Sequence, residues 1–216
     1  MSAARTATWY FDVISPYAYL HSADLLAHLP ADVTIVAKPV LFAGLLNHWG
    51  HKGPVEIPAK RVHTYRQSAW LTERRGLPFR MPPRHPFNPL SALRLLCALG
   101  PSLQQAHDAC RFVFGEGGDP STPDGIRALG TKLGVADPER LAGTDSAKQA
   151  LRANGEAAIA AGVWGVPTLE MGGELFWGAD SFPMLLDWLA DPGLFGSDEM
   201  RRLADLPVGQ MRKGHG

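Results

Sequence analysis

The chain of 216 residues is long enough for one domain, or for one domain that carries a large insertion. Hydrophobic residues make up 45% of it and charged residues 19%, which are ordinary proportions for a soluble globular protein. Its 21 basic and 21 acidic side chains give a formal net charge of zero, which argues against a protein that binds nucleic acid or an anionic membrane by its charge.

Residues 9–20 predict a buried strand that runs into an amphipathic helix, with Ser15 at the junction. The segment before Ser15 is aromatic and β-branched, and Pro16 suits the first helical position, where its missing N–H is no loss. A helix N-terminus carries free N–H groups and the positive end of the helix dipole, so a thiolate or another anion could be held beside Ser15. The alternative is that Ser15 only caps the helix, and this segment taken alone favours the cap.

A second strand is predicted at residues 33–40, limited at its end by Pro39, and residues 41–52 form a short apolar helix or a loop. Five prolines between Gly76 and Pro89 mark a further loop, and residues 115–123 mark another. Between these segments helical patterns dominate, at residues 58–75, 89–99, 102–115, 124–134, 138–143 and 145–161.

The C-terminal part predicts a strand, a turn at Gly172 and Gly173, a second strand and a closing helix at 181–190. The strand-to-helix start and the Val-Pro-Thr sequence before this hairpin resemble the α/β thioredoxin fold. That resemblance implies a cis peptide bond before Pro167, which would face Ser15. We therefore expect a cleft where the helical insertion overhangs Ser15 and Pro167. The expected parts are a split thioredoxin-like domain (5–45 and 145–192), an all-helical insertion (46–144) and a peripheral polar tail (193–216).

Two cysteines, Cys97 and Cys110, fall in predicted helices at a spacing that matches no metal or redox motif, so no metal site is predicted. The positions of a thioredoxin-type Cys-x-x-Cys hold Ser-Pro-Tyr-Ala at 15–18, so disulfide exchange through the protein's own sulfur is excluded. The Ser15 hydroxyl could still donate to a thiolate supplied by a cofactor. Free thiols, no visible secretory signal and no apolar run long enough to span a bilayer predict a cytoplasmic protein.

Four motifs, at residues 11–20, 58–61, 165–168 and 176–180, together resemble the 2-hydroxychromene-2-carboxylate isomerases. These enzymes are grouped with the kappa-class glutathione transferases and the DsbA-like proteins. The likeness extends from about residue 8 to residue 190. It implies a thioredoxin-like fold with a large helical insertion, glutathione as the cofactor, a small aromatic substrate and a homodimer.

The resemblance also assigns roles to single residues. Ser15 corresponds to the catalytic serine at the glutathione sulfur, and the backbone of Val166 would pair with the cysteinyl part of glutathione beside Pro167. Asp180 and Ser181 would hold the γ-glutamyl group, because a carboxylate attracts its ammonium and a helix N-terminus attracts its carboxylate. The other positions expected to bind the cofactor are Pro16, Tyr17, His51, Lys60 and Trp177.

Each of these assignments has a plainer alternative. Asp180 could be an ordinary N-cap, Trp177 could pack in the core, and Lys60 could lie on a solvated helix face. His51 stands where the family commonly has Asn. His85 falls near a tyrosine, and Leu46 near a lysine, that face the aromatic substrate in some members. Both histidines could donate to a substrate carboxylate or phenol, His85 as a substrate residue, or could be solvated loop residues.

The sequence therefore supports three hypotheses. The first is a glutathione-dependent isomerase, in which the glutathione thiolate adds to an aromatic catabolite and is released unchanged. The second is a kappa-type glutathione transferase or peroxidase, in which the thiolate attacks an electrophile and stays attached. The third is a non-catalytic module that binds a peptide in the groove beside Pro167. The residues alone hardly separate the first two, because both need the same cofactor site.

Overall fold

The computed structural model describes residues 5–210 and contains a mixed sheet of four strands. The strands are β1 (Arg5–Phe11), β2 (Val33–Pro39), β3 (Thr168–Met171) and β4 (Glu174–Trp177). Their order is β2-β1-β3-β4. β1 pairs in parallel with β2 and antiparallel with β3, which in turn pairs antiparallel with β4. All four predicted strands are present and the predicted hairpin is formed by β3 and β4, while the two halves of the sequence meet between β1 and β3.

The C-terminal end of the central strand β1, residues 9–11, is apolar and buried on both faces, as a strand covered on both sides must be. Trp9 and Phe11 are fully buried and stack with their ring centroids 4.3 Å apart. Tyr10 points to the opposite face and joins an apolar cluster that includes Leu45 and Val166. The end of β1 is therefore held rigidly at the point where Ser15 follows.

Ten α-helices are found in residues 5–210, and the predicted ones all occur within a few residues of their expected bounds. The 41–52 segment, predicted as helix or loop, is a helix. The helices are α1 (Pro16–His28), α2 (Phe42–Trp49), α3 (Pro58–Arg74), α4 (Leu90–Leu99), α5 (Leu103–Phe114), α6 (Pro123–Lys132), α7 (Pro138–Gly143), α8 (Asp145–Ala160), α9 (Phe182–Ala190) and α10 (Asp198–Ala204).

Helices α2 to α8 all fall between β2 and β3 in the sequence, which is the thioredoxin-like fold with a helical insertion. The exact limits 46–144 of that insertion stay a prediction. By its internal contacts the chain divides into two compact units after Phe182. None of the helices in residues 5–210 is both long and apolar enough to cross a bilayer.

The helix α10 was not predicted, since the tail was expected to be only polar and peripheral. The hydroxyl of Ser197 accepts a hydrogen bond from the Met200 amide and so caps this helix. Acidic residues in its first turn and arginines in its last turn suit the helix dipole. All of its residues are exposed, in keeping with a peripheral segment. The last part of the predicted tail, 211–216, lies outside the described residues.

Candidate functional site

Ser15 lies between β1 and α1, but its side chain does not cap the helix. Its backbone is extended, Pro16 opens α1, and no hydrogen bond joins the hydroxyl to the first turn. The hydroxyl instead donates to the carbonyl oxygen of Val166 at 3.5 Å, and the residue is 7% exposed. At that length the bond is weak, so the hydroxyl can turn toward a better acceptor. Ser15 therefore occupies the N-cap position of α1, as the plainer alternative held, but without the side-chain hydrogen bond that a capping serine makes.

The Val166–Pro167 peptide bond is cis, as the resemblance implied. The Pro167 carbonyl accepts from the Gly178 amide at 2.9 Å, which ties this loop to the end of β4. The N–H of Val166 has no hydrogen-bond partner within residues 5–210, although the residue is buried. A free backbone N–H beside the Ser15 hydroxyl can pair with an extended peptide-like ligand in the manner of an added strand.

Asp12 lies directly beneath Ser15, and sequence reasoning gave it no role. It is fully buried; its Oδ1 accepts from the Ile14 amide at 3.0 Å and its Oδ2 from the Phe42 amide at 2.9 Å. Burial raises the pKa of this carboxyl to about 7, and the two amide hydrogen bonds oppose that shift. Asp12 thus joins the turn before Ser15 to the first residue of α2. A lone acid in an aromatic strand was the signal that could have found it.

His85 lies against the same turn. Its Nε2 is 2.7 Å from the Ile14 carbonyl and its Nδ1 is 2.9 Å from the Tyr65 hydroxyl. A carbonyl can only accept, so Nε2 carries a proton; the Tyr65 hydroxyl also lies 2.9 Å from the His85 carbonyl oxygen and shares its single proton between that oxygen and Nδ1. Burial lowers the pKa of His85, the hydrogen bond to Ile14 opposing it, which favours this neutral form. His85 therefore contacts the residue before Ser15, and both its nitrogens are engaged by the protein, while its predicted role toward a substrate stays a prediction. Tyr65 was missed.

Tyr17 and Asp180 face the same region. The Tyr17 hydroxyl donates to Gln67 Oε1 at 2.7 Å and so links α1 to α3. Burial raises the pKa of Tyr17, and the nearby Asp180 carboxylate raises it further. Asp180 itself is exposed and has no ion pair within residues 5–210. Ser181 donates to the Gly178 carbonyl at 2.8 Å, which leaves its oxygen lone pairs able to accept.

Trp177 is not a core residue, contrary to its plainer alternative, because its side chain is 51% exposed. Its ring meets that of Trp164 edge to face, with centroids 5.9 Å apart. A Cβ on Gly165 would stand 2.6 Å from Trp177 Nε1, so only glycine lets this indole lie against the loop before Pro167. Trp164, 37% exposed, was missed by sequence reasoning. The two rings form an apolar surface next to Val166.

His51 and Lys60 are not brought to Ser15 by any observed contact. Both are exposed, and in the part of the chain that the structure describes no hydrogen bond or ion pair joins either side chain to Ser15, Val166 or Asp180. Leu46, on α2, is half-buried. The residues that do converge are Ser15, Tyr17, Val166, Pro167, Trp177 and Asp180, supported by Asp12 and His85.

The site contains no thiol of the protein. Cys97 and Cys110 are free and lie on α4 and α5. Burial raises the pKa of Cys97 to about 12 and raises that of Cys110 as well, so both remain protonated at neutral pH. No group of three or more potential ligands is placed to hold a metal ion within residues 5–210. The site therefore offers a hydroxyl donor, a free amide and an exposed carboxylate.

Three comparisons place these features among known proteins. A model of the DSBA-like thioredoxin domain matches residues 6–190. Glutathione S-transferase kappa 2 of Caenorhabditis elegans is 27% identical over 213 residues, covering 89% of this chain and 95% of that protein. Human glutathione S-transferase kappa 1 is 25% identical over 221 residues, covering 94% and 90%. The structure of a 2-hydroxychromene-2-carboxylate isomerase superposes with a TM-score of 0.73 at 22% identity, covering 94% of this chain and all of that one, a similarity of fold.

Proposed function

This chain belongs to the DSBA-like thioredoxin domain family, and from that premise we propose that it is a glutathione-dependent isomerase of 2-hydroxychromene-2-carboxylate-like aromatic catabolites. A serine stands where a redox member of this fold would need a cysteine, and the protein's two thiols are buried elsewhere. The curated relatives are named glutathione S-transferases, which supports glutathione as the source of the missing sulfur.

One observation carries the proposal: the Ser15 hydroxyl and the unpaired Val166 amide lie side by side at the cis Pro167. In this proposal Val166 pairs with the cysteinyl backbone of glutathione, and the hydroxyl turns from the Val166 carbonyl toward the sulfur. Asp180 attracts the γ-glutamyl ammonium, with Ser181 beside it. Lys60, an exposed cation with no acidic partner in residues 5–210, is proposed for the glycyl carboxylate, and His51 for a further contact.

The chain's own residues would then hold and activate this cofactor. When bound, glutathione supplies a thiolate nucleophile that adds reversibly to an electron-poor carbon. Ser15 donates a hydrogen bond to the sulfur, and the N-terminus of α1 favours its negative charge. Trp177 and Trp164 offer an apolar surface to an aromatic substrate. His85 keeps Ser15 in place through Ile14, and its proposed contact with substrate would require it to give up one of its present partners.

The test is to titrate glutathione by calorimetry and to follow its thiolate absorbance against pH in wild type and Ser15→Ala. We expect the wild type to bind glutathione and to lower its thiol pKa below the free value of about 8.5. In Ser15→Ala the pKa of the bound glutathione thiol should rise back toward its free value. Turnover of 2-hydroxychromene-2-carboxylate should fall by about 10²-fold. Ser146→Ala, at an exposed serine on α8, is the control.

Wild-type turnover in Ser15→Ala would contradict the role of Ser15. Absence of any glutathione binding by the wild type would refute the proposal and leave a module that binds peptide without catalysis.

A kappa-type transferase or peroxidase is the second proposal, because both curated relatives carry the transferase name. It uses the same cofactor site, so the products must separate the two. Unchanged glutathione with an isomerised substrate supports the isomerase, whereas a glutathione conjugate or oxidised glutathione supports the second proposal.

We extend the proposal to a cytoplasmic homodimer. The free state of both cysteines supports a reducing compartment. The homodimer rests on the resemblance alone, and light scattering of the purified protein tests it by giving one or two times the monomer mass of 23.4 kDa.

A further inference from the structure

A cavity that includes none of the Ser15 site residues lies among α2, α4 and α8. Its volume is about 390 Å³, within the range of small-molecule sites. None of the residues that line it belongs to the Ser15 group. One wall is apolar and is built from Leu45 on α2 and from Leu151 and Ile159 on α8. This wall can cover the hydrocarbon part of a ligand.

The rest of the lining is positively charged. Arg94, Lys148 and Arg152 contribute three cations and Glu156 one carboxylate, which leaves a net charge of +2. Lys148 pairs with Asp145 on the same helix, at 3.0 Å, but the Asp145 side chain is 87% exposed and screened by water. Arg94, Arg152 and Glu156 form no ion pair within residues 5–210. The cavity therefore has more cationic charge than the described protein neutralises.

Arg94 shows the imbalance most directly. It sits on α4 between the fully buried Leu93 and Leu95, and its Nε is buried with no hydrogen-bond partner in residues 5–210. A guanidinium stays protonated at any physiological pH, so this N–H is always a donor. Buried donors are nearly always bonded, so the hydrogen-bonding capacity of this side chain is unmet within residues 5–210, and Arg94 also lines the cavity.

We propose that this cavity binds a small organic carboxylate with an apolar body. The carboxylate lies between Arg94 and Arg152, since guanidinium groups bind carboxylates through paired hydrogen bonds. The apolar body lies against Leu45, Leu151 and Ile159. Glu156 disfavours polyphosphates, because their added negative charge would be repelled. Leu45 belongs to the same apolar cluster as Val166, but none of the charged residues of the cavity belongs to the proposed glutathione site, so each proposal can be tested without the other.

The test titrates octanoate into the whole protein by calorimetry, with octanol as the uncharged probe and inorganic phosphate as the anion without an apolar body. Octanoate should bind saturably and at least 10-fold more tightly than either. Arg94→Gln and Arg152→Gln should each weaken octanoate binding by 10-fold or more. Arg140→Gln, at an exposed arginine on α7, is the matched control and should bind as wild type does.

A third variant tests the cavity itself without touching its charges. Gly155 lines it from the middle of α8, and a Cβ there would meet open space, so Gly155→Leu should fill the cavity and leave the fold intact. It should abolish octanoate binding while glutathione binding stays unchanged. The proposal is overturned if the wild type does not bind octanoate, or if it binds phosphate or octanol as tightly as octanoate. It is also overturned if the two cavity arginine variants and Gly155→Leu all bind octanoate as tightly as the wild type does.

Discussion

Ile14, the residue before Ser15, is held at both of its backbone polar groups. Its N–H donates to the Asp12 carboxylate and its carbonyl accepts from His85 Nε2, at 3.0 and 2.7 Å. The Ser15 amide in turn donates to the Asp12 carbonyl at 3.0 Å. Ser15 needs this support because its own hydroxyl makes only a long contact and cannot fix the turn. The direction of the Ser15 side chain is therefore set by the hydrogen bonds of neighbouring residues rather than by those of its own hydroxyl.

Asp12 makes the free energy of unfolding fall as the pH rises, and this direction identifies the carboxyl group responsible. Its pKa is 3.8 ordinarily and about 7 in the fold, so the folded protein binds this proton more tightly than the unfolded chain. Its contribution to the free energy of unfolding is therefore full below pH 3.8 and is lost as the pH rises to about 7.

Asp12→Asn removes this titration. The free energy of unfolding of the wild type, measured relative to that of the variant by urea unfolding, should therefore fall across that range by at most about 4 kcal/mol. Asp205→Asn, in the exposed tail, is the control variant. A pH-independent difference for Asp12→Asn would show that the carboxyl titrates normally.

At the scale of elements, α3 and the proline-rich loop after it reach the junction of β1 and α1. Tyr65 on α3 donates to His85, and His85 donates to Ile14. Tyr17 on α1 donates back to Gln67 on α3. The helical part of the chain therefore contributes to the Ser15 site through two separate contacts.

Tyr65→Phe tests the first of these contacts. The variant removes the hydroxyl that fixes the His85 ring and keeps the aromatic packing, so we expect a stability loss of about 1 kcal/mol. Because Tyr65 acts only through His85 and Ile14, kcat of the glutathione-dependent reaction should fall several-fold while KM for glutathione hardly changes. Val62→Ala, at an exposed position of the same helix, should leave kcat unchanged. A wild-type kcat in Tyr65→Phe would limit Tyr65 to a structural role.

The loop before β3 depends on the absence of a side chain at Gly165. An alanine there would place its Cβ 2.6 Å from Trp177 Nε1 and push the indole away from the loop. We expect Gly165→Ala to weaken glutathione binding about 10-fold in calorimetry. In the control, Gly143→Ala, the added Cβ meets open space and binding should not change. Unchanged affinity in Gly165→Ala would mean that Trp177 does not line the cofactor site.

At the scale of the whole molecule, the sheet and helices follow from local patterns, whereas the surroundings of Ser15 do not. The aromatic β1, the strand ending at Pro39 and the Gly172-Gly173 turn are each readable in a short window of sequence. Tyr65 contacts His85, which contacts Ile14, and these contacts depend on how the insertion packs on the sheet. No short window of sequence contains all three residues. Asp12 was visible in the sequence, but its two amide partners were not.

The whole fold also places both cysteines where burial keeps them protonated, and this leads to a prediction about the entire protein. Cys110 is fully buried, and Cys97 accepts from Asn154 at 3.5 Å with its pKa raised by burial to about 12. Treatment of the folded protein with an alkylating reagent, removed before glutathione is added, should therefore leave glutathione-dependent turnover unchanged. The double variant Cys97→Ala/Cys110→Ala should lose about 0.5–3 kcal/mol of stability per site and still turn over substrate at the wild-type rate.

Neither the wild type nor the double variant should reduce insulin disulfides without added thiol, because no thiolate of the protein lies beside Pro167. If turnover is lost in the double variant while its circular dichroism spectrum stays native, then a sulfur of the protein takes part in the reaction. In that case the glutathione thiolate cannot be the only nucleophile.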